Sequence, residues 1–243
     1  GGAQALAGGQ TLIASMKQRL MRPENLIDLG GVAELQGIRV DGQTIVIGAM
    51  TKHQDVAANA DVRRLIPGLA ALAEGIGDRQ VRAMGTLGGS VANNDPAACY
   101  PSAVLGLGAT VVTDRREIQA DDFFQGLYTT ALDAGELITA IRFPVPTKAA
   151  YAKFRQPASR FALVGVFVAQ TAGGVRVAIT GTGNGVFRHA GLEAALAKSF
   201  TPEAVQGVQI DASEISGDLH ASSAYRAHMV TVQTQAAVRQ ANG

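Results

Sequence analysis

Residues 85–96 read Gly-Thr-Leu-Gly-Gly-Ser-Val-Ala-Asn-Asn-Asp-Pro, and this polar, glycine-rich stretch between apolar segments is the most informative part of the sequence. A second such stretch, residues 7–12 with the sequence Ala-Gly-Gly-Gln-Thr-Leu, follows a short apolar run and opens the first helical pattern. Glycine lets a backbone approach a ligand closely, and backbone N–H groups at the start of a helix attract anions. We therefore predict two amide cradles that hold a pyrophosphate from both sides, with ordinary turns as the alternative for each stretch alone.

The composition excludes several classes of protein. The chain has 243 residues, of which 47% are apolar and 17% charged, so it is globular rather than disordered. Its net charge is +1 without a long Lys/Arg run, which argues against nucleic acid as a partner. The single cysteine excludes a disulfide framework and indicates a reducing compartment, so we predict a cytoplasmic protein. No apolar run is long enough to predict a transmembrane segment.

The hydrophobic pattern predicts an α+β fold of mixed strands and short helices. Asp41-Gly42 predicts a hairpin between two apolar runs, and residues 26–29 read as a buried strand. Thr51 and Gln54 form a capping-box pattern, which predicts a helix from about Lys52.

Two changes in pattern divide the chain. We place boundaries near His53 and Thr147, which gives segments 1–53, 54–147 and 148–243. The last segment predicts three antiparallel strands followed by helices. The residues between 81 and 96 are expected to form one long loop.

The histidines offer no metal site and no catalytic group. They are scattered along the chain without the spacing of metal ligands, at His53, His189, His220 and His228. We therefore predict neither a metal site nor a catalytic residue on this chain.

The two glycine stretches, together with Asp95-Pro96-Ala97-Ala98 and residues 154–160, resemble the FAD-binding medium subunit of molybdenum hydroxylases. This is the carbon monoxide dehydrogenase and xanthine dehydrogenase family, and the resemblance covers nearly the whole chain. It implies a two-subdomain FAD-binding domain of the vanillyl-alcohol-oxidase (PCMH) type, plus a C-terminal domain with a three-stranded antiparallel sheet and helices. The family chain begins one strand and one helix earlier, so the first subdomain is expected to be incomplete here.

The resemblance also implies a function in electron transfer. FAD on this chain would take electrons from the [2Fe–2S] clusters of a small subunit, while a large subunit would hold molybdopterin and hydroxylate the substrate. A dimer of heterotrimers is the implied assembly. Neither the organic substrate nor the acceptor, among NAD, oxygen, a quinone and a cytochrome, follows from the sequence.

The cofactor-binding residues are carried over from the family position by position. One group would line the pyrophosphate, a second would face it, and the remainder would contact the ribityl chain, the adenine side and the flavin ring. In that order they are Ala7, Gly8, Gly9, Gln10, Thr11 and Leu12; Thr86, Gly88, Gly89 and Ser90; and Asn94, Asp95, Cys99, Ile138 and Arg155. Arg155 stands where the family often has a lysine, and a surface ion pair is its alternative role.

Two positions depart from the family pattern. Cys99 stands where many relatives have an aspartate that binds a ribityl hydroxyl, and a thiol is a weak hydrogen-bond partner. Either Asp95 or Asn94 replaces that carboxylate, or the flavin is held less firmly; a redox thiol is a further alternative. Ile76 stands where some relatives have an aromatic side chain, so ring stacking on the flavin is expected to be absent.

Two other functions remain open at this stage. One is a stand-alone FAD-dependent reductase or oxidase on the same fold, similar to MurB, which would need its own proton donor beside the flavin. The other is a scaffold that binds no flavin. A visible absorbance spectrum of the purified chain separates the scaffold from the two flavoproteins.

Overall fold

The N-terminal part of the chain is a two-stranded parallel sheet with one helix, in a computed structural model that describes residues 2–243. Its elements are β1 (Ala3–Leu6), α1 (Leu12–Lys17) and β2 (Asn25–Asp28). The prediction that residues 26–29 form a buried strand is wrong in one respect, since Leu26 and Ile27 are 42% and 54% exposed. The reason is that β2 is an edge strand that pairs only with β1, and all four of its residues are exposed.

The middle of the chain is built on a five-stranded antiparallel sheet. Helices pack against this sheet, and its strands pair in the order β3 (Ile38–Asp41), β4 (Thr44–Gly48), β9 (Ile138–Pro144), β5 (Thr110–Thr113) and β6 (Glu117–Gln119). The elements of this part are β3 (Ile38–Asp41), β4 (Thr44–Gly48), α2 (His53–Ala58), α3 (Ala60–Leu65), α4 (Pro67–Glu74), α5 (Arg79–Met84), α6 (Leu87–Asn93), α7 (Tyr100–Gly106), β5 (Thr110–Thr113), β6 (Glu117–Gln119), α8 (Ala120–Phe123), β7 (Phe124–Gly126), β8 (Thr129–Thr130) and β9 (Ile138–Pro144).

The sheet order corrects the first predicted boundary. The hairpin around Asp41-Gly42 forms as predicted, but its strands β3 and β4 join the same sheet as β9 and β5. The change of sheet therefore lies near the short 3-10 helix Ala33–Leu35 rather than at His53. A hairpin alone cannot reveal this, because the pairing of Ile47 with Ile141 joins residues far apart in sequence.

Two further local predictions are corrected, one for the N-cap of α2 and one for residues 81–96. The hydroxyl of Thr51 does not cap α2 but donates to the carbonyl of Gly37 at 3.1 Å. The N–H of His53 instead donates to the carbonyl of Gly85 at 3.0 Å. Residues 81–96, predicted as one loop, contain the end of α5 and all of α6. Glycine lowers the stability of an isolated helix, but a helix that packs against the rest of the protein tolerates it.

The C-terminal part is an antiparallel sheet between two helical layers. Its elements are β10 (Lys148–Arg155), β11 (Ala162–Thr171), β12 (Gly174–Thr180), β13 (Phe187–Arg188), α9 (Ala190–Lys198) and α10 (Ser223–Asn242), with short 3-10 helices at Pro202–Val205 and Ala212–Glu214. The three predicted strands are present, and the two-residue β13 adds a fourth that is too short to leave a sequence signal.

Alternation along β11 explains how this sheet joins the rest of the molecule. Val166 and Val168 point to the layer formed by α9 and α10, whereas Phe167 and Ala169 belong to the core shared with α4 and α7. Gly106 allows the close approach of α7, because a Cβ there would stand 2.9 Å from Cδ1 of Phe167. In residues 2–243, no helix is both long and apolar enough to cross a membrane.

Candidate functional site

The candidate site is a cavity of about 690 Å³, a volume in the range of small-molecule and cofactor sites. Its walls come from the N-terminal ribbon, from the segment α5–α7 and from the loop between β10 and β11. Among the residues predicted from the sequence, those that line it are Ala7, Gly8, Gly9, Gln10, Thr11, Leu12, Thr86, Gly88, Gly89, Ser90, Asp95, Cys99 and Ile138. Asn94 and Arg155 do not.

The first glycine stretch presents free backbone donors to this cavity. Within the described residues, the N–H groups from Gly8 to Leu12 have no hydrogen-bond acceptor. Gly9 has φ +70°, a left-handed conformation that glycine adopts without strain. A Cβ on Gly8 would overlap the backbone of Met84 and Gly85, so this loop packs directly against the entrance to α6. The arrangement is suited to bind an anion.

The second stretch is the first turn of α6 and not an amide cradle, which corrects the prediction. The N–H groups of Leu87 and Gly88 donate to the carbonyls of Thr51 and Ala49 at 3.0 and 2.8 Å. The N–H of Gly89 donates to the N-capping hydroxyl of Thr86 at 3.2 Å. These donors are already used because α6 is docked on the turn after β4. Gly89 still faces the first stretch, since a Cβ there would stand 3.4 Å from Cβ of Ala7.

Asn94 has a structural position instead of a place in the cavity wall. It is fully buried in a left-handed conformation with φ +45° and ends α6. Its Nδ2 donates to the carbonyls of Gly126 and Thr129 at 2.8 and 2.9 Å, and these carbonyls belong to the two ends of the β7–β8 turn. Asn94 therefore joins α6 to that hairpin.

Of the two basic residues near the end of β10, Lys153 lines the cavity and Arg155 does not. Arg155 is exposed and has no carboxylate within 4 Å in residues 2–243. Lys153 lines the cavity, and its Nζ donates to the carbonyls of Gly75 and Arg160 at 2.8 and 2.9 Å and to Sγ of Cys99 at 3.3 Å. The sequence held a signal for it, because the two residues share one face of β10 and only Lys153 is the residue type that the resemblance expects.

The residues around Cys99 show which group could replace the aspartate that many relatives have at this position. Cys99 is buried in the wall beside Lys153. Asp95 also lines the cavity, and its carboxylate accepts from the N–H of Ala97 at 2.8 Å and from the hydroxyl of Tyr128 at 3.2 Å. Asp95 thus supplies a carboxylate within the wall, although it stands four residues before Cys99. Ile76 lines the cavity as an aliphatic group.

Two residues of the wall with strongly shifted pKa values, His53 and Glu136, were not predicted as site residues. Burial, with a smaller contribution from Arg82, lowers the pKa of His53 from 6.5 to about 4, so this side chain is neutral at neutral pH. Glu136 accepts hydrogen bonds from the guanidinium of Arg116, from the N–H of Asp133 and from the hydroxyl of Thr113, which lower its pKa from 4.5 to about 2. Glu136 is therefore ionised at neutral pH, and its hydrogen bonds connect the segment before β9 to Thr113 and Arg116.

We expect Glu136 to make the stability of the protein sensitive to acid. Because its pKa is lower in the folded state, the carboxylate stabilises the fold above about pH 4.5, and this contribution is lost as the pH falls towards 2. Urea unfolding of the wild type should therefore lose stability over that range faster than Glu136→Gln does. Equal pH dependence of the two proteins would contradict the assignment.

Comparison with known proteins shows which family the sequence belongs to. Residues 1–146 match the family model described as the FAD binding domain in molybdopterin dehydrogenase. The chain is 36% identical to the medium chain of carbon monoxide dehydrogenase from Hydrogenophaga pseudoflava, over 93% of this chain and 85% of that protein. It is 32% identical to the medium chain of glyceraldehyde dehydrogenase from Sulfolobus acidocaldarius, over 97% and 89%.

A solved structure gives the same result for the fold. Carbon monoxide dehydrogenase from Hydrogenophaga pseudoflava, in a form that lacks the Mo-pyranopterin moiety, superposes with a TM-score of 0.89 at 35% identity, covering 98% of this chain and 89% of that one. The fold class inferred from the resemblance is thereby confirmed. The chain belongs to the family of FAD-binding medium subunits of molybdopterin-dependent dehydrogenases.

Proposed function

We propose that this chain binds FAD and transfers electrons as the medium subunit of a molybdenum hydroxylase. The observation that carries the proposal is the run of free N–H groups from Gly8 to Leu12 in the wall of the 690 Å³ cavity. The donor set and the volume both fit a dinucleotide with a pyrophosphate. When bound, FAD supplies the redox chemistry, since it accepts and releases electrons.

The residues of the chain bind and orient the cofactor in this proposal. The N–H groups from Gly8 to Leu12 would hold the pyrophosphate, and Gly89 would leave room for it on the opposite side. Lys153 contributes a positive charge, and Asp95 and Ser90 contribute polar groups to the cavity wall. His53 adds a neutral imidazole, which can accept or donate one hydrogen bond without adding charge.

Electrons must reach this chain from another polypeptide. A [2Fe–2S] cluster needs four ligands, mostly cysteines, and the sequence has one cysteine. We therefore infer a small iron–sulfur subunit as donor and a large molybdopterin subunit as the site of substrate oxidation, assembled as a dimer of heterotrimers in the cytoplasm. Size-exclusion chromatography of the co-expressed subunits and cell fractionation test the assembly and the compartment.

The decisive experiment has two steps. The purified chain, supplied with FAD, should show a flavin absorbance spectrum, and reconstitution with its partner subunits and an organic substrate should bleach it. The chain alone should not be bleached by that substrate. A chain that takes up no flavin is the scaffold, and one that NADPH reduces without partners is a stand-alone reductase.

We expect Cys99→Asp to bind FAD about tenfold more tightly, the equivalent of roughly 1.4 kcal/mol. A carboxylate at this position could accept from a ribityl hydroxyl and would lie beside Nζ of Lys153, which already approaches Sγ of Cys99 to 3.3 Å. Fluorescence titration of the apoprotein with FAD measures the change, and Cys99→Ser is the near-neutral control. Weaker binding by the aspartate variant would contradict the proposed contact.

A further inference from the structure

The imidazole of His53 is nearly buried, yet it has no hydrogen-bond partner in the described part of the protein. His53 is the first residue of α2, is 5% exposed and lines the cavity. Its Nδ1 is buried without a partner, and no group of residues 2–243 forms a hydrogen bond with Nε2 either. Buried polar groups are hydrogen-bonded with few exceptions, so this side chain requires a physical explanation.

Backbone and packing contacts hold the ring in place. The N–H of His53 donates to the carbonyl of Gly85 at 3.0 Å, and the imidazole centroid lies 5.2 Å from the ring centroid of Tyr100. The hydroxyl of Tyr100 is itself buried without a partner, so it does not bond to the imidazole. A Cβ on Gly85 would stand 2.5 Å from Nε2, so glycine leaves room for the ring. The structure therefore accommodates an imidazole to which it makes no hydrogen bond.

The ring lies near the free N–H groups of the first glycine stretch. Gly85 separates the two, because a Cβ on Gly8 would stand 2.8 Å from Cα of Gly85, and Nε2 of His53 packs against the same residue. All three residues line the cavity. Since Nδ1 is enclosed, Nε2 is the nitrogen that a ligand in the cavity can contact. His53 is thus close to the donors that are proposed to hold the pyrophosphate.

No negative charge in the described chain favours protonation of this imidazole. No carboxylate of residues 2–243 lies within 4 Å of it. Arg82 of α5 is the charged group that acts on it, Tyr100 of α7 is the titratable group against its ring, and α3 and α4 contribute no charge that affects it. Burial, more than Arg82, lowers the pKa of His53 to about 4. A bound phosphate would act in the opposite direction, since a nearby anion favours the charged imidazole.

We propose that His53 is a cofactor-binding residue that contacts the phosphate groups of FAD through Nε2 and takes up a proton from solvent as FAD binds. The inference rests on the proposed FAD function and adds a dependence of FAD affinity on pH. The imidazole is neutral in the FAD-free chain between pH 5.5 and 7.5, so any proton that it takes up on binding makes the affinity rise as the pH falls. If the anion restores the ordinary pKa of 6.5, the rise over this range is about tenfold.

Isothermal titration calorimetry of the FAD-free chain with FAD tests this coupling. The titration is performed at pH 7.5 and 5.5, each in two buffers of different ionisation enthalpy, so that proton uptake is measured directly. Both pH values lie above the range in which Glu136 loses its charge. His53→Gln keeps a donor but cannot become charged, so its affinity should not rise at pH 5.5. His228→Gln is the matched control, since His228 is exposed on α10 outside the cavity wall and should leave the pH dependence unchanged.

Thermal unfolding of the FAD-free variants separates binding from a structural role. His53→Leu removes a buried polar group without a partner, so it should be at least as stable as the wild type while binding FAD about tenfold more weakly at pH 5.5. Lower stability with unchanged FAD affinity would show a structural role only and overturn the proposal.

The calorimetric outcomes distinguish this inference from the FAD function. A wild type that binds FAD with the same affinity at both pH values would overturn the inference and leave the FAD function intact. Equal proton uptake by His53→Gln and the wild type would do the same, because another group would then carry the proton. Absence of FAD binding at both pH values would overturn the proposed function and this inference together.

Discussion

A Gly89→Val variant should lose its FAD while keeping its fold. A Cβ at this position would stand 2.8 Å from the hydroxyl of Thr86 and 3.4 Å from Cβ of Ala7, so valine would fill the gap between α6 and the first glycine stretch. Because Gly89 lines the cavity, the added side chain occupies the space of the cofactor. We expect the affinity for FAD to fall about a hundredfold, the equivalent of roughly 3 kcal/mol.

The effect on stability should be smaller than the effect on binding. Displacing the Thr86 hydroxyl removes an N-cap, which costs about 1 kcal/mol. Flavin absorbance and thermal unfolding of the same sample separate the two effects. Gly207→Val is the control, because a Cβ there has no atom within 4 Å. Gly9→Val is less informative, since φ +70° at Gly9 would strain any valine. Full FAD content in Gly89→Val would show that α6 does not contact the cofactor.

An Asn94→Ala variant should instead be destabilised by about 3 kcal/mol without a comparable loss of FAD affinity in the folded protein. The change removes both hydrogen bonds to the carbonyls of Gly126 and Thr129, and it places alanine in a left-handed conformation. Urea unfolding measures the stability, and titration with FAD below the transition measures the affinity.

Asn94→Gly is the matched control for the backbone. Glycine loses the same two hydrogen bonds but adopts φ +45° without strain, so it should be more stable than the alanine variant by about 1 kcal/mol. The result that would contradict this role is unchanged stability together with lost FAD, because Asn94 would then be the cofactor ligand that the sequence predicts.

The sequence was sufficient for the properties that depend on local pattern and motif. Asp41-Gly42 predicts a hairpin because a tight two-residue turn needs a residue that tolerates positive φ, and Gly42 has φ +58°. The stretch Ala7–Leu12 predicts an anion site because glycines and a helix start occur together. The family follows from the combination of both glycine stretches with Asp95-Pro96-Ala97-Ala98, since no single piece is specific.

Only the tertiary structure decided how those pieces are used. Whether the N–H groups of Leu87 and Gly88 are free depends on Thr51 and Ala49, whose carbonyls lie outside α6 and accept from them. The residue type at position 153 is the lysine that the resemblance expects, but which of Lys153 and Arg155 lines the cavity depends on the part of β10 that meets it.

The same distinction separates Asn94 from Asp95. Adjacent in sequence and both polar, they differ because the left-handed turn at Asn94 directs its amide to the β7–β8 turn and leaves Asp95 in the cavity wall. Composition, turn chemistry and motif are encoded by neighbouring residues and can be read from the sequence. The satisfaction of a donor and the direction of a side chain depend on contacts between distant segments, and these exist only in the folded chain.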